Sequence, residues 1–337
     1  MIPDDATRDG LAQFIRAASG ATDVRITLLA RMRGGAVQQN WAVDAEVLGG
    51  AFEGTHAWVL RTDAPARVAE SLTRAKEFHV LQAVQPAGVM APRALWLCED
   101  PSIAGSSFFL MTRLPGVATG HKIARDPALV PDRRHLAREL AANLARIHAM
   151  QLSRRELSFL RKRLARENIE HYRGYLDSLE EGYPVLEWGL RWCERNAPPR
   201  EETTFVHRDY RTGNYLVDNG NLAGVLDWEF AGFGNPLEDV GWLFAKCWRF
   251  GQHEYPVGGV AYAEDFLPEY ELRSRRTVSP AQLRYWQVIA HVRWAVIALQ
   301  QRERHRSGAE SSLELALTGH LLSDLELEIL ALTADHA

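Results

Sequence analysis

A change in the spacing of apolar residues along the chain limits its fold more than any other sequence feature. Apolar residues alternate with other residues in three segments, namely Val24, Ile26 and Leu28, then Trp41, Val43, Ala45 and Val47, then Ala57 and Val59. Alternation of period two is typical of antiparallel strands. After Pro65 the spacing becomes helical, and the run "SSFFLMT" follows before Pro115 and Gly116. These patterns predict a sheet with one inserted helix.

Beyond Gly116 the spacing of apolar residues is mainly helical. A repeat at intervals of three and four predicts a helix over about residues 132–149, on Leu136, Leu140, Leu144 and Ile147. The motif "SPAQ" at residues 279–282 has the pattern of a capping box and predicts a helix to about residue 301. A further helix is predicted from Leu315, Leu322, Leu325 and Ile329. We therefore predict an α+β fold of two lobes, divided at residues 1–114 and 115–337.

Composition limits the possible partners of the protein. The 337 residues have a formal net charge of −4, which gives no general attraction to nucleic acid or to an anionic membrane. Three widely spaced cysteines fit reduced thiols, and no apolar run approaches the roughly 20 residues of a membrane span. The acidic start "MIPDDATRDG" does not resemble a signal peptide. We expect a cytoplasmic protein without nucleic-acid or membrane partners.

Residues 207–214, "HRDYRTGN", contain an aspartate and an asparagine five positions apart. Two short strands are predicted after them, around a tight turn at Asn219 and Gly220. Closure of that hairpin is expected to carry Asp227 back toward Asp209 and Asn214, so that two carboxylates and one amide oxygen meet. Such hard oxygen ligands suit Mg²⁺. We therefore predict that Asn214 and Asp227 bind the metal, while Asp209 acts as a base toward an attacking hydroxyl.

Six segments of the chain together match the pattern of one known family. They are, in order, "RMRGGAVQQNWAVD", "WVLR", "AKEFHVLQAV", "FFLMTRLPG", "HRDYRTGNYLV" and "VLDWEFAGFGNPLEDVGWL". In these segments the chain resembles the aminoglycoside phosphotransferase and choline kinase superfamily, whose members are relatives of protein kinases. The resemblance is strongest to the phosphotransferase domain that is linked to large acyl-CoA dehydrogenases. This resemblance implies a protein-kinase-like fold and an enzyme that moves the γ-phosphate of ATP, or alternatively GTP, to a hydroxyl group of a small molecule.

The resemblance also implies roles for individual residues. Nucleotide contacts are implied for the covering turn, for a phosphate-binding arginine with its glutamate partner and for the adenine hinge, which are Gly34, Gly35, Arg61, Glu77, Met111 and Arg113. Supporting roles are implied for His207, Glu229 and Asp239. We interpret His207 as a brace for the loop backbone rather than as an acid or base. The alternatives without a nucleotide are a hairpin turn at the two glycines and a solvated surface pair of Arg61 with Glu77.

Three positions depart from the family pattern. Arg208 replaces a glycine, and its guanidinium is expected either in solvent or in a local ion pair. Arg61 stands where protein kinases have a lysine, and a guanidinium can still form charge-assisted bonds with phosphate. Asn235 replaces an aspartate, which removes one charge from that position.

Few sequence features indicate which acceptor is used. Residues 154–166, "RRELSFLRKRLAR", form a basic segment that is either a solvated helix face or part of an anion-binding acceptor site. The second interpretation favours an anionic acceptor such as a hydroxyacyl-CoA over a cationic antibiotic. The alternative functions are a nucleotide-binding pseudokinase, an aminoglycoside phosphotransferase and a metallohydrolase that uses His207 and Asp209. The tryptophans, Trp242 among them, are predicted to be core residues.

Overall fold

A computed structural model of the protein describes residues 5–32, 38–63, 70–152, 157–308 and 312–334. The chain divides into two compact units, of which the first comprises Met1–Pro115 and Ala223–Phe230. The second comprises Gly116–Leu222 and Ala231–Ala337. The return of residues 223–230 to the first unit is fixed by backbone hydrogen bonds, since the Val225 N–H donates to the Met90 carbonyl at 2.8 Å. The sequence patterns do not predict this return.

The first unit contains a five-stranded antiparallel sheet in the order β1-β2-β3-β5-β4. Its strands are β1 (Asp23–Arg31), β2 (Gln38–Leu48), β3 (Gly54–Asp63), β4 (Ala94–Cys98) and β5 (Phe108–Thr112). The three predicted strands and the apolar run before Pro115 are confirmed. Strands β3 and β5 each contain consecutive buried residues, as expected for strands with neighbours on both sides and both faces covered.

The prediction that Leu28 shares a face of β1 with Val24 is wrong, and a β-bulge is the reason. The pairing of β1 with β2 shifts between Ile26 and Leu28. An extra residue at a bulge reverses the alternation of side chains beyond it. Consequently Leu28 is exposed, whereas Leu29 is buried, as Val24 is before the bulge. On the uninterrupted strand β2, all four predicted core residues from Trp41 to Val47 are buried.

Helices cover the sheet of the first unit. They are α1 (Asp5–Ser19), α2 (Arg74–Val84) and α3 (Pro101–Ala104). Helix α2 is the predicted inserted helix, and its N-cap Thr73 accepts a hydrogen bond from the Lys76 N–H. Helix α1 is not predicted by the sequence patterns. It buries Leu11 and Ile15 in the sheet core, and Phe14 packs edge-to-face on Phe108 with ring centroids 5.4 Å apart.

The second unit is mainly helical, which confirms the predicted α+β class. Its helices are α4 (Gly120–Arg125), α5 (Arg133–Ala149), α6 (Ala165–Asp177), α7 (Pro184–Asn196), α8 (Leu237–Phe244), α9 (Ala263–Ser274), α10 (Pro280–Arg306), α11 (Leu313–Gly319) and α12 (Leu322–Thr333). Helices α5 and α10 confirm two predictions, and both hydrogen bonds of the capping box at Ser279 and Gln282 are present. The single predicted last helix is instead the pair α11 and α12.

No helix within the described parts of the chain combines the length and apolar character that crossing a membrane requires.

Four short strands precede and follow the loop of residues 207–214 in the sequence. They are β6 (Thr204–Val206), β7 (Tyr215–Asp218), β8 (Asn221–Val225) and β9 (Gly232–Gly234). Strands β7 and β8 form the predicted hairpin, and its turn residues Asn219 and Gly220 have φ angles of 48° and 79°. Both angles lie in the left-handed region, which explains the Asn-Gly pair. The division between the two units falls within β8, after Leu222.

Strands β6 and β9 pair antiparallel, and residues 161–163 of the basic segment contact β9. The Phe233 N–H donates to the Arg161 carbonyl at 3.0 Å, and the Arg163 N–H donates to the Phe233 carbonyl at 2.9 Å. Residues 161–163 are therefore extended backbone beside β9, with a parallel bridge between Lys162 and Phe233. The alternative of a helix face is wrong for these residues, because α6 begins at Ala165.

Candidate active site

A buried charged cluster in the first unit brings together four of the predicted site residues. Arg61 on β3 lies with its Nη2 atom 2.9 Å from Oε1 of Glu77 and 2.8 Å from Oδ1 of Asp227. Its Nε atom donates to Oε2 of Glu77 at 2.9 Å. Both Arg61 and Glu77 are buried, so the alternative of a solvated surface pair is wrong. The fourth residue, Glu229, follows Asp227 in a turn of 3₁₀ helix, Trp228–Phe230.

Arg74 is a member of this cluster that the sequence analysis did not identify. Its Nε atom lies 2.9 Å from Oδ1 of Asp63, and its Nη2 atom lies 3.2 Å from Oε2 of Glu229. It also forms an ion pair with Glu77, three positions later on α2. Residues three apart share a helix face, and this spacing is the signal that could have indicated the contact.

Among the described residues, the cluster contains more carboxyl groups than guanidinium groups. Two guanidinium groups face the carboxyl groups of Asp63, Glu77, Asp227 and Glu229. Burial alone would lower the pKa of Arg61, but Glu77, Asp227 and Glu229 raise it above its ordinary value. Burial raises the pKa of Glu229 to about 7, although Arg61 acts in the opposite direction. These carboxyl groups therefore favour the charged form of the Arg61 guanidinium.

We predict that Arg74 is required for the stability of the protein. Arg74→Ala leaves three carboxyl groups without one of their partners inside the protein, and such a loss costs about 3–5 kcal/mol. The control is Arg25→Ala, because Arg25 pairs with Glu46 on the same sheet but its side chain is 71% exposed, and that change should cost under about 1 kcal/mol. Denaturant unfolding of both variants measures the difference. Equal losses would contradict a structural role for the buried cluster.

The second unit holds Asp209 through three side-chain donors. The Asn214 Nδ2 atom donates to Oδ2 of Asp209 at 2.5 Å and to its carbonyl at 3.0 Å. The Trp242 Nε1 atom donates to Oδ1 at 2.8 Å, and the Arg211 Nε atom donates to the same oxygen at 3.2 Å. Because the amide nitrogen of Asn214 faces Asp209, its amide oxygen is the atom left to bind a cation.

Asp239 braces the backbone that precedes Asp209. Its Oδ2 atom accepts the His207 N–H at 2.8 Å, and its Oδ1 atom accepts the Arg208 N–H at 2.6 Å. The same carboxylate lies 3.1 Å from Nε2 of His148. Burial alone would raise the pKa of Asp239, but the His148 hydrogen bond and the loop contacts lower it. A buried charged carboxylate therefore fixes the loop.

The His207 ring makes a backbone contact. Its Nδ1 atom accepts the N–H of Asp209 at 3.1 Å, and the residue is fully buried. This geometry favours the interpretation of His207 as a structural brace over that of a proton-transferring group.

Arg208 is not solvated, although solvent was one of its two expected environments. Its guanidinium donates to the carbonyl of Phe233 at 2.9 Å and lies 3.5 Å from Oε2 of Glu238. It also reaches the carbonyls of Arg161 and Arg163 at 3.4 and 3.3 Å. The glycines of β9 leave space for it, since a Cβ atom at residue 232 would lie 2.5 Å from its Nη1 atom. Arg208 thus ties the basic segment to the loop.

Asn235 lies just before the helix that carries Asp239. Its Oδ1 atom accepts the Leu237 N–H at 3.0 Å, and its Nδ2 atom donates to Glu201 at 3.3 Å. Burial raises the pKa of Glu201. A charged aspartate could accept from Leu237 but could not donate to Glu201, so the asparagine fits this position.

Of the remaining predicted nucleotide contacts, two lie on β5 or just after it, and two lie outside the described residues. Met111 is buried on β5, opposite Val59. The Arg113 guanidinium lies 2.6 Å from Asp44 on β2, and its role toward adenine stays a prediction. Gly34 and Gly35 lie outside the described residues.

The predicted metal ligands belong to different units, since Asp227 lies in the first and Asn214 in the second. Across the described residues, no group of three or more His, Cys, Asp and Glu side chains is arranged to hold a metal. The predicted ligand set is of another kind, one carboxylate and one amide oxygen. The Asp227 side chain is 34% exposed, and both ligand types suit a hard cation.

Comparison with known proteins agrees with the resemblance. A sequence profile described as "Phosphotransferase enzyme family" matches residues 29–315. Acyl-CoA dehydrogenase family member 10 of Mus musculus is 34% identical over 172 residues, which is 49% of this chain and 16% of that protein. The chain thus spans about a sixth of the length of this relative.

The fold is also found in solved structures, and two of them illustrate the similarity. One is from Ralstonia eutropha and is classed as an aminoglycoside phosphotransferase. It aligns with a TM-score of 0.74 at 18% sequence identity, and the alignment covers 97% of this chain and 98% of the other chain. The other is a thermostable mutant of the aminoglycoside phosphotransferase APH(4)-Ia in complex with AMP-PNP and hygromycin B, with a TM-score of 0.62 at 16% identity and coverages of 97% and 99%. The predicted kinase-like fold is confirmed, and the chain belongs to the phosphotransferase enzyme family.

Proposed function

We propose that this protein transfers the γ-phosphate of ATP to a hydroxyl group of a small anionic molecule, such as a hydroxyacyl-CoA, with Asp209 as the base. The observation that carries this proposal is the fixed carboxylate of Asp209, which three donors orient on a loop braced by Asp239. A base must be held within hydrogen-bond reach of the proton that it accepts. Phosphoryl transfer depends mainly on such positioning and on charge stabilisation.

The use of ATP is supported by the charged cluster and by one of the similar structures. Arg61 offers a guanidinium suited to phosphate oxygens. The APH(4)-Ia structure contains AMP-PNP, an ATP analogue. Competition between ATP and GTP in a binding assay decides which nucleotide is preferred.

Asn214 and Asp227 are the residues that would hold Mg²⁺, which when bound neutralises phosphate charge. The bonds that form and break belong to the chain and its substrates. The acceptor hydroxyl gives its proton to Asp209 as its oxygen forms a bond to the γ-phosphorus. The bond from that phosphorus to the bridging oxygen breaks, and ADP leaves with the electron pair.

The preference for an anionic acceptor is supported by basic groups in the second unit. The Arg211 guanidinium lies beside Asp209 and over the Trp248 ring, 4.2 Å from the ring centroid. Arg161 and Lys162 are exposed, on a segment that Arg208 ties to the same loop. Positive groups here attract phosphate-bearing acceptors and repel polycationic antibiotics.

A phosphate-transfer screen tests the proposed function. The purified protein is incubated with ATP, Mg²⁺ and one acceptor from each of four classes: hydroxyacyl-CoA esters, sugars, choline-like alcohols and aminoglycosides. We expect a phosphorylated hydroxyacyl-CoA, identified by its mass. Phosphorylation of aminoglycosides alone would support the alternative of an antibiotic-modifying enzyme.

We predict that the basic segment affects the acceptor and not the nucleotide. Arg161→Glu combined with Arg163→Glu should raise the KM of the acceptor about tenfold or more while leaving the KM of ATP unchanged, because charge reversal repels an anion. Arg134→Glu with Arg138→Glu, on exposed positions of α5, is the control with the same change in net charge. Equal effects of both pairs, or kanamycin phosphorylation unaffected by either, would contradict the anionic acceptor.

A further inference from the structure

Trp242 on α8 combines a core position with a polar contact to the predicted base. The residue is buried in a small cluster with Ala245, Trp248 and Ala290. This agrees with its prediction as a core residue. Its Nε1 atom also donates to Oδ1 of Asp209 at 2.8 Å.

A second residue outside the loop holds the indole ring in place. The Arg293 guanidinium on α10 lies 4.3 Å from the Trp242 ring centroid. The same guanidinium donates a hydrogen bond to the carbonyl of Arg208, immediately before Asp209. The rings of Trp248 and Trp294 pack on Trp242 at centroid distances of 5.1 and 6.4 Å. The direction of the indole N–H is therefore fixed relative to the loop.

We propose that Trp242 is a positioning residue that sets the orientation of the Asp209 carboxylate. This inference rests on the proposed function, in which Asp209 accepts the proton of the acceptor hydroxyl. The indole N–H restrains rotation of the carboxylate about its Cβ–Cγ bond, because it engages Oδ1 from an immobile ring. A restrained carboxylate presents its lone pairs in one direction, and small errors in such alignment slow a reaction strongly. Trp242 acts through Asp209 and does not itself react.

Another tryptophan provides a matched control. Trp286 is equally buried, on α10. Its Nε1 atom, unlike that of Trp242, has no hydrogen-bond acceptor within the described residues. Replacing each tryptophan by phenylalanine removes the same atoms from the core, but only the change at residue 242 removes a hydrogen bond to Asp209.

The first experiment compares steady-state kinetics of Trp242→Phe and Trp286→Phe. We expect Trp242→Phe to lower kcat about ten- to a hundredfold with little change in the KM of ATP or of the acceptor. Trp286→Phe should keep kcat within about twofold. Equal changes in kcat for the two variants would overturn the proposal, because core packing alone would explain them.

A second variant covers the case in which Trp242→Phe does not fold. Replacing Trp242 by 3-benzothienylalanine keeps the ring shape and exchanges the N–H for sulfur, so the fold is kept and only the donor is lost. A large fall in kcat supports the proposal, and a wild-type kcat overturns it.

A third measurement separates this inference from the proposed function. In Asp209→Asn, the indole ¹⁵N–¹H resonance of Trp242, assigned by its loss in Trp242→Phe, should move more than those of the other nine tryptophans. An unmoved resonance overturns the contact. If Asp209→Asn still transfers phosphate, Asp209 is not the base. If Asp209→Asn is inactive but the benzothienylalanine variant is fully active, only the proposed role of Trp242 is overturned.

Discussion

Asp209→Asn is expected to lower kcat about a hundredfold to ten-thousandfold, because the amide cannot accept the proton of the acceptor hydroxyl. The change keeps the size of the side chain, and an amide oxygen can still accept the hydrogen bond from Trp242. The affinity for Mg²⁺ and ATP should therefore change little. Steady-state kinetics together with calorimetric titration of the nucleotide measures both quantities on the same variant.

Two further variants complete this test. Asp218→Asn makes the same chemical change at the end of β7, where the carboxylate accepts a local hydrogen bond from Asn219, and kcat should stay at the wild-type level. Asp227→Ala should instead weaken nucleotide binding that depends on Mg²⁺. Full transfer activity in Asp209→Asn would show that another group accepts the proton.

Arg61→Ala should weaken ATP binding about ten- to a hundredfold, because charge-assisted hydrogen bonds to phosphate are lost. Glu77→Ala should give a smaller loss of the same kind, since Glu77 holds the guanidinium in place through two contacts. The double variant should bind ATP about as weakly as Arg61→Ala alone, because the glutamate has no arginine left to position. Nucleotide titration of the three variants, after their folding is verified by circular dichroism, gives these affinities.

The same three variants can also contradict the pairing of Arg61 with Glu77. Losses that simply add in the double variant would mean that Arg61 and Glu77 act independently on the nucleotide. The exposed pair of Arg25 and Glu46 offers the control, since Arg25→Ala lies on the same sheet and should leave ATP affinity unchanged.

Local patterns were sufficient to predict most of the elements. Uninterrupted alternation gave β2 its correct face, and the capping box located the start of α10. The bulge after Ile26 could not be predicted, because it arises from pairing with β2 and not from the β1 sequence. Helix α1 was missed because its apolar stripe is short, with Leu11 and Ile15 the only residues that it fully buries.

Site residues that belong to a sequence motif could be predicted. Site residues that are distant in sequence could not. The loop containing Asp209 and Asn214 and the pair of Arg61 with Glu77 were recognised from ordered motifs. Trp242 lies 33 positions from Asp209, and its N–H has no local signal that distinguishes it from an ordinary core tryptophan. Arg208 fits because β9 has glycines opposite it, a relation that only the folded chain shows.

Phosphoryl transfer is tested by following the γ-phosphate of ATP through a single turnover. The protein, in excess over ATP labelled in the γ-phosphate, is mixed with a hydroxyacyl-CoA and quenched at increasing times, with Mg²⁺ or with EDTA. The proposed function predicts that the label appears on the acceptor hydroxyl in step with ADP formation, only with Mg²⁺, and not in Asp209→Asn. Bound ATP that keeps its label with acceptors of all four classes would contradict the claim and identify a nucleotide-binding pseudokinase.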